Sequence, residues 1–180
     1  MGHLKAADQE QSPPHVLLFP YPCPSHVNIM LNLAELVCLS GLQVTFLVTP
    51  VTHHRLLHHT GVYTTRFETE YPNRFRFETI SVGEPDEDPM CRDVASFRAA
   101  AKPLLREFLV EENRSGRIPI SCMVTDGVAT FGIDIAQELG IQVFTYWIGS
   151  AANIWFYFCA ASELLQAGVL PFEGWFPVFN

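Results

Sequence analysis

The chain has 180 residues, 48% of them apolar and only 17% charged, which is enough apolar surface for a packed core and excludes a disordered chain or a coiled coil. Nineteen acidic against eleven basic side chains give a net charge of −8, and no stretch gathers the Lys and Arg that would neutralise a phosphate backbone, so nucleic acid is excluded as a partner. Five scattered cysteines, Cys23, Cys38, Cys91, Cys122 and Cys159, form no C-x-x-C pair and fit reduced thiols in a cytoplasmic setting rather than a disulfide framework or a zinc site.

Residues 1–14, MGHLKAADQEQSPP, are polar, lack the apolar stretch of a secretory signal, and read as a disordered tail. His15–Phe19, HVLLF, is an unbroken apolar run ending at Pro20, the pattern of a central strand covered on both faces. After the loop PYPCPS, apolar residues from Val27 to Val37 recur at helical spacing until Gly41, with Ser25 as the expected N-cap. Val44–Val48 predicts a second strand, and Pro50 opens a short helix through His59. Arg74–Ile80, RFRFETI, alternates in the manner of a half-exposed third strand. The acidic stretch Gly83–Asp93 has neither period nor apolar content and reads as a surface loop, with a helix following to Glu112. Ile120–Thr125 predicts a fourth strand ended by Asp126-Gly127, Ile133–Leu139 a helix stopped at Gly140, and Ile141–Trp147 a fifth strand.

The longest apolar stretch, Val143–Leu165, is broken by Gly149, Ser150, Asn153 and Ser162 and carries Glu163. It therefore reads as a buried strand followed by a helix, not as a membrane span. Strands alternating with helices imply an α/β, Rossmann-like parallel sheet with crossover helices over residues 15–174.

In open parallel sheets ligands bind beyond the carboxyl ends of the strands. Three segments fall there: the loop Pro20–His26, Asp126, and the group Trp147, Gly149 and Ser150. If the first and fourth strands are neighbours, Asp126 can hold one ring nitrogen of His26, fix its tautomer and stabilise the imidazolium formed when the ring accepts a proton. The alternative is that His26 caps its helix and Asp126 ends a strand; spacing does not separate the two.

The stretch HVLLFPYPCPSHVNIMLNLAELVCLSGLQVTFL resembles the opening of plant UDP-sugar-dependent glycosyltransferases: a strand, then F-P-x-P-x-x-G-H, then M-L-x-L-A-x-x-L. The resemblance continues through HHRLLHHT, RFRFETI, Asp126-Gly127, FGIDIAQELGI and WFYFCAASELLQAGVLPFEG, nearly everything from His15 to Gly174. HVNIMLNLAEL with HHRLLHHT is similar in particular to the branch that glucosylates iridoids. The resemblance implies the N-terminal, acceptor-binding half of a GT-B fold, with His26 as general base and Asp126 orienting it. An acceptor hydroxyl or carboxyl would then attack UDP-glucose directly with inversion, and no metal would be required. It further implies a UDP-sugar co-substrate, a small hydrophobic hydroxylated acceptor, and acceptor contacts from Tyr21, Trp147, Phe156 and the loop around Met90. Ser25 stands where the family carries glycine, and Ile148 where many relatives carry a sugar-contacting Thr. Ser25 and Ser150 are thus the candidates for the donor side. Relatives hold the nucleotide on a second domain, and nothing here matches its signature box; residues 175–180, WFPVFN, leave the family pattern. The expectation is a truncated half that is inactive alone.

The sequence also admits other readings. His54 and His58 would share a helical face as a metal pair, although no nearby Cys, Asp or Glu completes a site. A Ser-His-Asp hydrolase lacks the G-x-S-x-G elbow. A noncatalytic small-molecule-binding or regulatory fragment, pairing with a full-length relative, stands as the alternative of a different class.

Overall fold

The computed structural model describes residues 13–59, 66–67, 69–83 and 94–169. The expected tail before residue 13, the acidic segment 84–93, and the boundary at 174 with the divergent end beyond it lie outside the described residues. By compactness the chain divides into two units, Met1–Tyr146 and Trp147–Asn180.

The first unit holds five strands, β1 (His15–Phe19), β2 (Gln43–Val48), β3 (Phe75–Thr79), β4 (Ile120–Asp126) and β5 (Gln142–Tyr146). They form one sheet in the order β3-β2-β1-β4-β5, with every neighbouring pair parallel. Among the described residues, the longer helices between them are α1 (Pro24–Leu39), α2 (Pro50–His59), α3 (Val94–Arg114) and α4 (Phe131–Glu138). β1 is buried at all five positions, as its unbroken apolar run requires of a central strand.

Alternation along the strands divides the interior into two layers. Leu17, Phe19 and Leu47 pack with Phe97, Ala101, Leu105 and Leu109 of α3 and with Phe131 and Ile135 of α4. Val16, Leu18, Phe46 and Val48 pack on the other face with Val27, Met30, Leu31 and Ala34 of α1 and Leu56 of α2. Burying each such side chain contributes about 1.5–3 kcal/mol, so β1, which feeds both layers, is the element the sheet is built around. Gly41 has φ +85° just past the C-terminus of α1, a conformation that lets the chain turn directly into β2 and that a side chain would oppose.

Two local expectations are corrected. The N-cap of α1 is Cys23, not Ser25. Pro24 takes the first helical position, where its missing N–H costs no hydrogen bond and its fixed φ suits the helix, and this moves the start two residues earlier. The fifth strand is not buried: Phe144 is 55% exposed, and Gln142 and Thr145 are exposed as well. β5 is the terminal strand of the described sheet, with a ladder partner on one side only, so an apolar sequence does not suffice to bury it. No helix among the described residues is long and apolar enough to cross a membrane.

α4 approaches β4 closely enough that a Cβ on Gly132 would sit 2.7 Å from Met123 Cε and 2.8 and 3.2 Å from Thr125 Oγ1 and Cβ. The Met tip can move, but Thr125 is held by the strand and by its hydroxyl, which donates to Ala129 C=O at 2.9 Å. Gly132→Ala will therefore destabilise the unit by about 1–3 kcal/mol, the usual cost of overpacking; a urea midpoint equal to that of the parent chain would contradict this.

Candidate functional site

The loop between β1 and α1 is stiffened by Pro20, Pro22 and Pro24 and closes on itself where Cys23 N–H donates to Tyr21 C=O at 2.7 Å. This brings His26 to the third position of α1, directly beyond the carboxyl end of β1. β4 lies beside β1, with Phe19 in register with Thr125, and Asp126 is the next residue. Neighbouring strand ends thus join residues that are 100 positions apart in sequence.

His26 Nδ1 lies 2.7 Å from Asp126 Oδ2. The carboxyl group is 1% exposed and is satisfied from three directions: by His26, by Tyr21 N–H at 3.2 Å on the same oxygen, and by Val128 N–H at 2.8 Å on Oδ1. A buried carboxylate is tolerable only when its lone pairs are met in this way. An ionised carboxylate accepts and does not donate, so the proton of a neutral imidazole sits on Nδ1 and the lone pair on Nε2. The ring is oriented as a base whose conjugate acid would face a negative partner.

The Tyr21 ring meets His26 edge-on, centroids 5.6 Å apart, and packs edge-on against the core ring of Phe97 at 5.3 Å. Tyr21 therefore steadies the imidazole and contributes the backbone amide that holds its partner. Ser25 is exposed on the second helical position, its hydroxyl 3.4 Å from Cys23 Sγ. A cleft of 250 Å³ opens between Pro22, Pro24 and Val27 on one side and Thr52, Arg55 and Leu56 on the other. Nothing in the sequence foretells this cleft, because its walls come from two helices whose facing depends on the packing of both against the sheet.

The remaining candidates belong to the second unit. Trp147 is half-buried, and Gly149 lets its ring come close, since a Cβ there would lie 2.6 Å from Trp147 Nε1. Ser150 caps the short helix α5 (Ala151–Trp155), its hydroxyl accepting from Asn153 N–H at 3.2 Å. Phe156 opens a π-helical turn, Phe156–Ala160, that runs into α6 (Ala161–Gln166). Phe158, which sequence reasoning did not single out, sets its ring 5.9 Å from that of Trp147; the extra residue of a π-turn has no signature in composition or periodicity. Met90 lies outside the described residues.

His54 and His58 do share an exposed face of α2, their ring centroids 4.1 Å apart, but no group of three or more metal-ligating side chains occurs among the described residues. The described cysteines, Cys23, Cys38, Cys122 and Cys159, are free thiols, and burial pushes that of Cys38 up to about 11.

No protein-family model matches the chain. It is 41% identical over 170 residues to 7-deoxyloganetic acid glucosyl transferase of Catharanthus roseus, a match covering 90% of this chain and 34% of that protein. Against 7-deoxyloganetin glucosyltransferase of the same plant the identity is 32% over 181 residues, covering 96% and 36%. Among solved structures, Os79 of O. sativa, in complex with U2F and trichothecene, superposes with a TM-score of 0.61 at 25% identity, covering 86% of this chain and 37% of that one. Over nine-tenths of its length the chain thus matches plant UDP-glycosyltransferases, along their N-terminal part. It spans about a third of the length of the curated relatives it matches. The five-stranded sheet is accordingly the N-terminal Rossmann-like layer system of a GT-B glycosyltransferase fold.

Proposed function

We propose that this chain supplies the acceptor-activating part of a glycosyltransferase that moves glucose from UDP-glucose to a hydroxyl or carboxyl of a small hydrophobic plant metabolite of the iridoid type. The observation that carries this reading is the 2.7 Å contact between His26 Nδ1 and the buried carboxylate of Asp126, at the strand ends where α/β sheets bind ligands. The names of the relatives at 41% and 32% identity support the acceptor class.

In this mechanism Nε2 of His26 takes the proton of the acceptor hydroxyl as its oxygen attacks the anomeric carbon from the face opposite the nucleotide. The bond from that carbon to the phosphate oxygen breaks, its electron pair leaves with UDP, and the configuration inverts. Asp126 holds the ring in the competent tautomer and offsets the charge it acquires. Tyr21 and the cleft beside α1 form part of the acceptor wall, with Ser25 toward the sugar.

Joining residues 15–171 to the C-terminal part of the Catharanthus relative tests the proposal. The chimera should convert an iridoid acceptor and UDP-glucose to the inverted, β-linked glucoside. A folded chimera that binds acceptor without transferring sugar would instead favour a noncatalytic binding fragment, one that pairs with a full-length relative.

A further inference from the structure

At the opposite end of the sheet, where the strands begin, a second histidine is buried. His15 opens β1 and is 3% exposed. The ladder between β1 and β4 slips between His15 and Val16, and Ser121 bridges the slip, its hydroxyl accepting from His15 N–H at 2.9 Å and donating to His15 C=O at 3.1 Å. The ring itself is held at both nitrogens: Nδ1 lies 2.8 Å from Ile118 C=O and Nε2 lies 2.8 Å from Thr45 Oγ1 on β2. A carbonyl only accepts, so Nδ1 carries the proton and Nε2 accepts from the Thr45 hydroxyl. That hydroxyl in turn accepts from Arg76 Nε–H on β3 at 2.8 Å.

Arg76 pairs with Glu112 of α3, which is 5% exposed, and lies 3.7 Å from Glu78. Arg117 stands 3.5 Å from Glu112 and 3.3 Å from Glu78. Arg74 joins His15 and Arg76 in lining a 170 Å³ cavity at this edge. Every donor and acceptor around the ring is thus assigned on the assumption of a neutral imidazole.

We propose that His15 is a proton-sensitive lock on the β1-β2-β3 edge: a proton on Nε2 would displace the hydrogen that the Thr45 hydroxyl donates there, taking the acceptor from that buried O–H, and would add a cation beside Arg76 and Arg117. Both effects oppose the folded state and loosen the hydrogen bonds that tie three strands and α3 together. Burial, chiefly, and then the arginines hold the His15 pKa below its ordinary value, against the Ile118 carbonyl and Glu112, which favour the charged form. The sign follows by linkage. Unfolding releases a histidine that titrates near 6.5, so the unfolded chain binds more protons below that pH and stability falls as pH drops through about 6.5 and lower. For one proton the folding constant changes by up to about tenfold per pH unit.

The test is urea unfolding of the 180-residue chain and of His15→Gln across pH 7.5 to 5. Gln retains a group able to accept from Thr45 but does not titrate. The parent should lose stability on acidification more steeply than His15→Gln, by close to one proton; parallel curves would overturn the proposal. Should His15→Gln fail to fold, the His15 ring resonances of the parent decide. A neutral ring below pH 6.5 in the native state supports the lock, and a midpoint at or above 6.5 overturns it.

Discussion

In the chimera described above, replacing His26 with alanine will lower the rate of glucosyl transfer by about 10²- to 10⁴-fold, the range expected when a positioned general base is lost. This corresponds to about 3 to 5 kcal/mol of transition-state stabilisation. The acceptor hydroxyl has a pKa far above neutrality, and Nε2 is the lone pair that the Nδ1 contact with Asp126 leaves available. His26 is partly exposed, and once its ring is removed the buried carboxylate keeps the Tyr21 amide on Oδ2 and the Val128 amide on Oδ1, so truncation should weaken the fold without abolishing it. Asp126→Asn is the complementary variant: an amide nitrogen facing Nδ1 would force the imidazole proton onto Nε2 and block the base, while the amide oxygen in the place of Oδ1 still accepts from Val128 N–H and the Tyr21 N–H loses its acceptor. Steady-state rates with circular dichroism as a control for folding provide the measurement. An unchanged rate in His26→Ala would remove His26 from the mechanism.

A polypeptide of these 180 residues alone will bind UDP-glucose more weakly than about 1 mM, corresponding to less than about 4 kcal/mol of binding free energy, and will form no product. A diphosphate needs several converging donors, a helix N-terminus or bidentate cations. The segment Pro20–His26 contains no Lys or Arg, and Pro24 removes one N–H from the start of α1. The amide of Ser150 precedes a helix of only five residues, whose end field is small. The relatives are about three times as long as this chain, and the proposal assigns nucleotide binding to sequence beyond the matched part. Calorimetric titration of the soluble monomer with UDP-glucose checks this; micromolar affinity, or glucoside formed by the chain by itself, would refute it.

Much of the local structure is legible in the residues. HVLLF is apolar at consecutive positions because both faces of β1 are covered, one by α3 and α4 and the other by α1 and α2. RFRFET alternates because β3 lies at the outside of the sheet, half-buried along most of its length. Gly41 marks the end of α1 because only a residue without a side chain turns easily at φ +85°. Where local rules compete, the sequence is less decisive: Ser25 is a good cap by type, but Pro24 claims the first helical turn and leaves the cap to Cys23. Apolar content likewise predicts a buried fifth strand, and the position of β5 at the sheet edge leaves Phe144 half in solvent.

What the sequence determines by itself is the order of strands and helices, the central place of β1 and the presence of a histidine and a carboxylate just beyond two strand ends. Only the tertiary structure decides that these two side chains meet, that His15 sits in a network drawn from β2, β3, α3 and the approach to β4, and that a cleft opens between α1 and α2. Periodicity and capping act over a few residues, whereas the 100-residue separation of His26 and Asp126 is closed by the choice of β4 as neighbour to β1 and by a register that aligns Thr125 with Phe19. That choice is set by the packing of whole layers against the sheet, which no short stretch of sequence encodes.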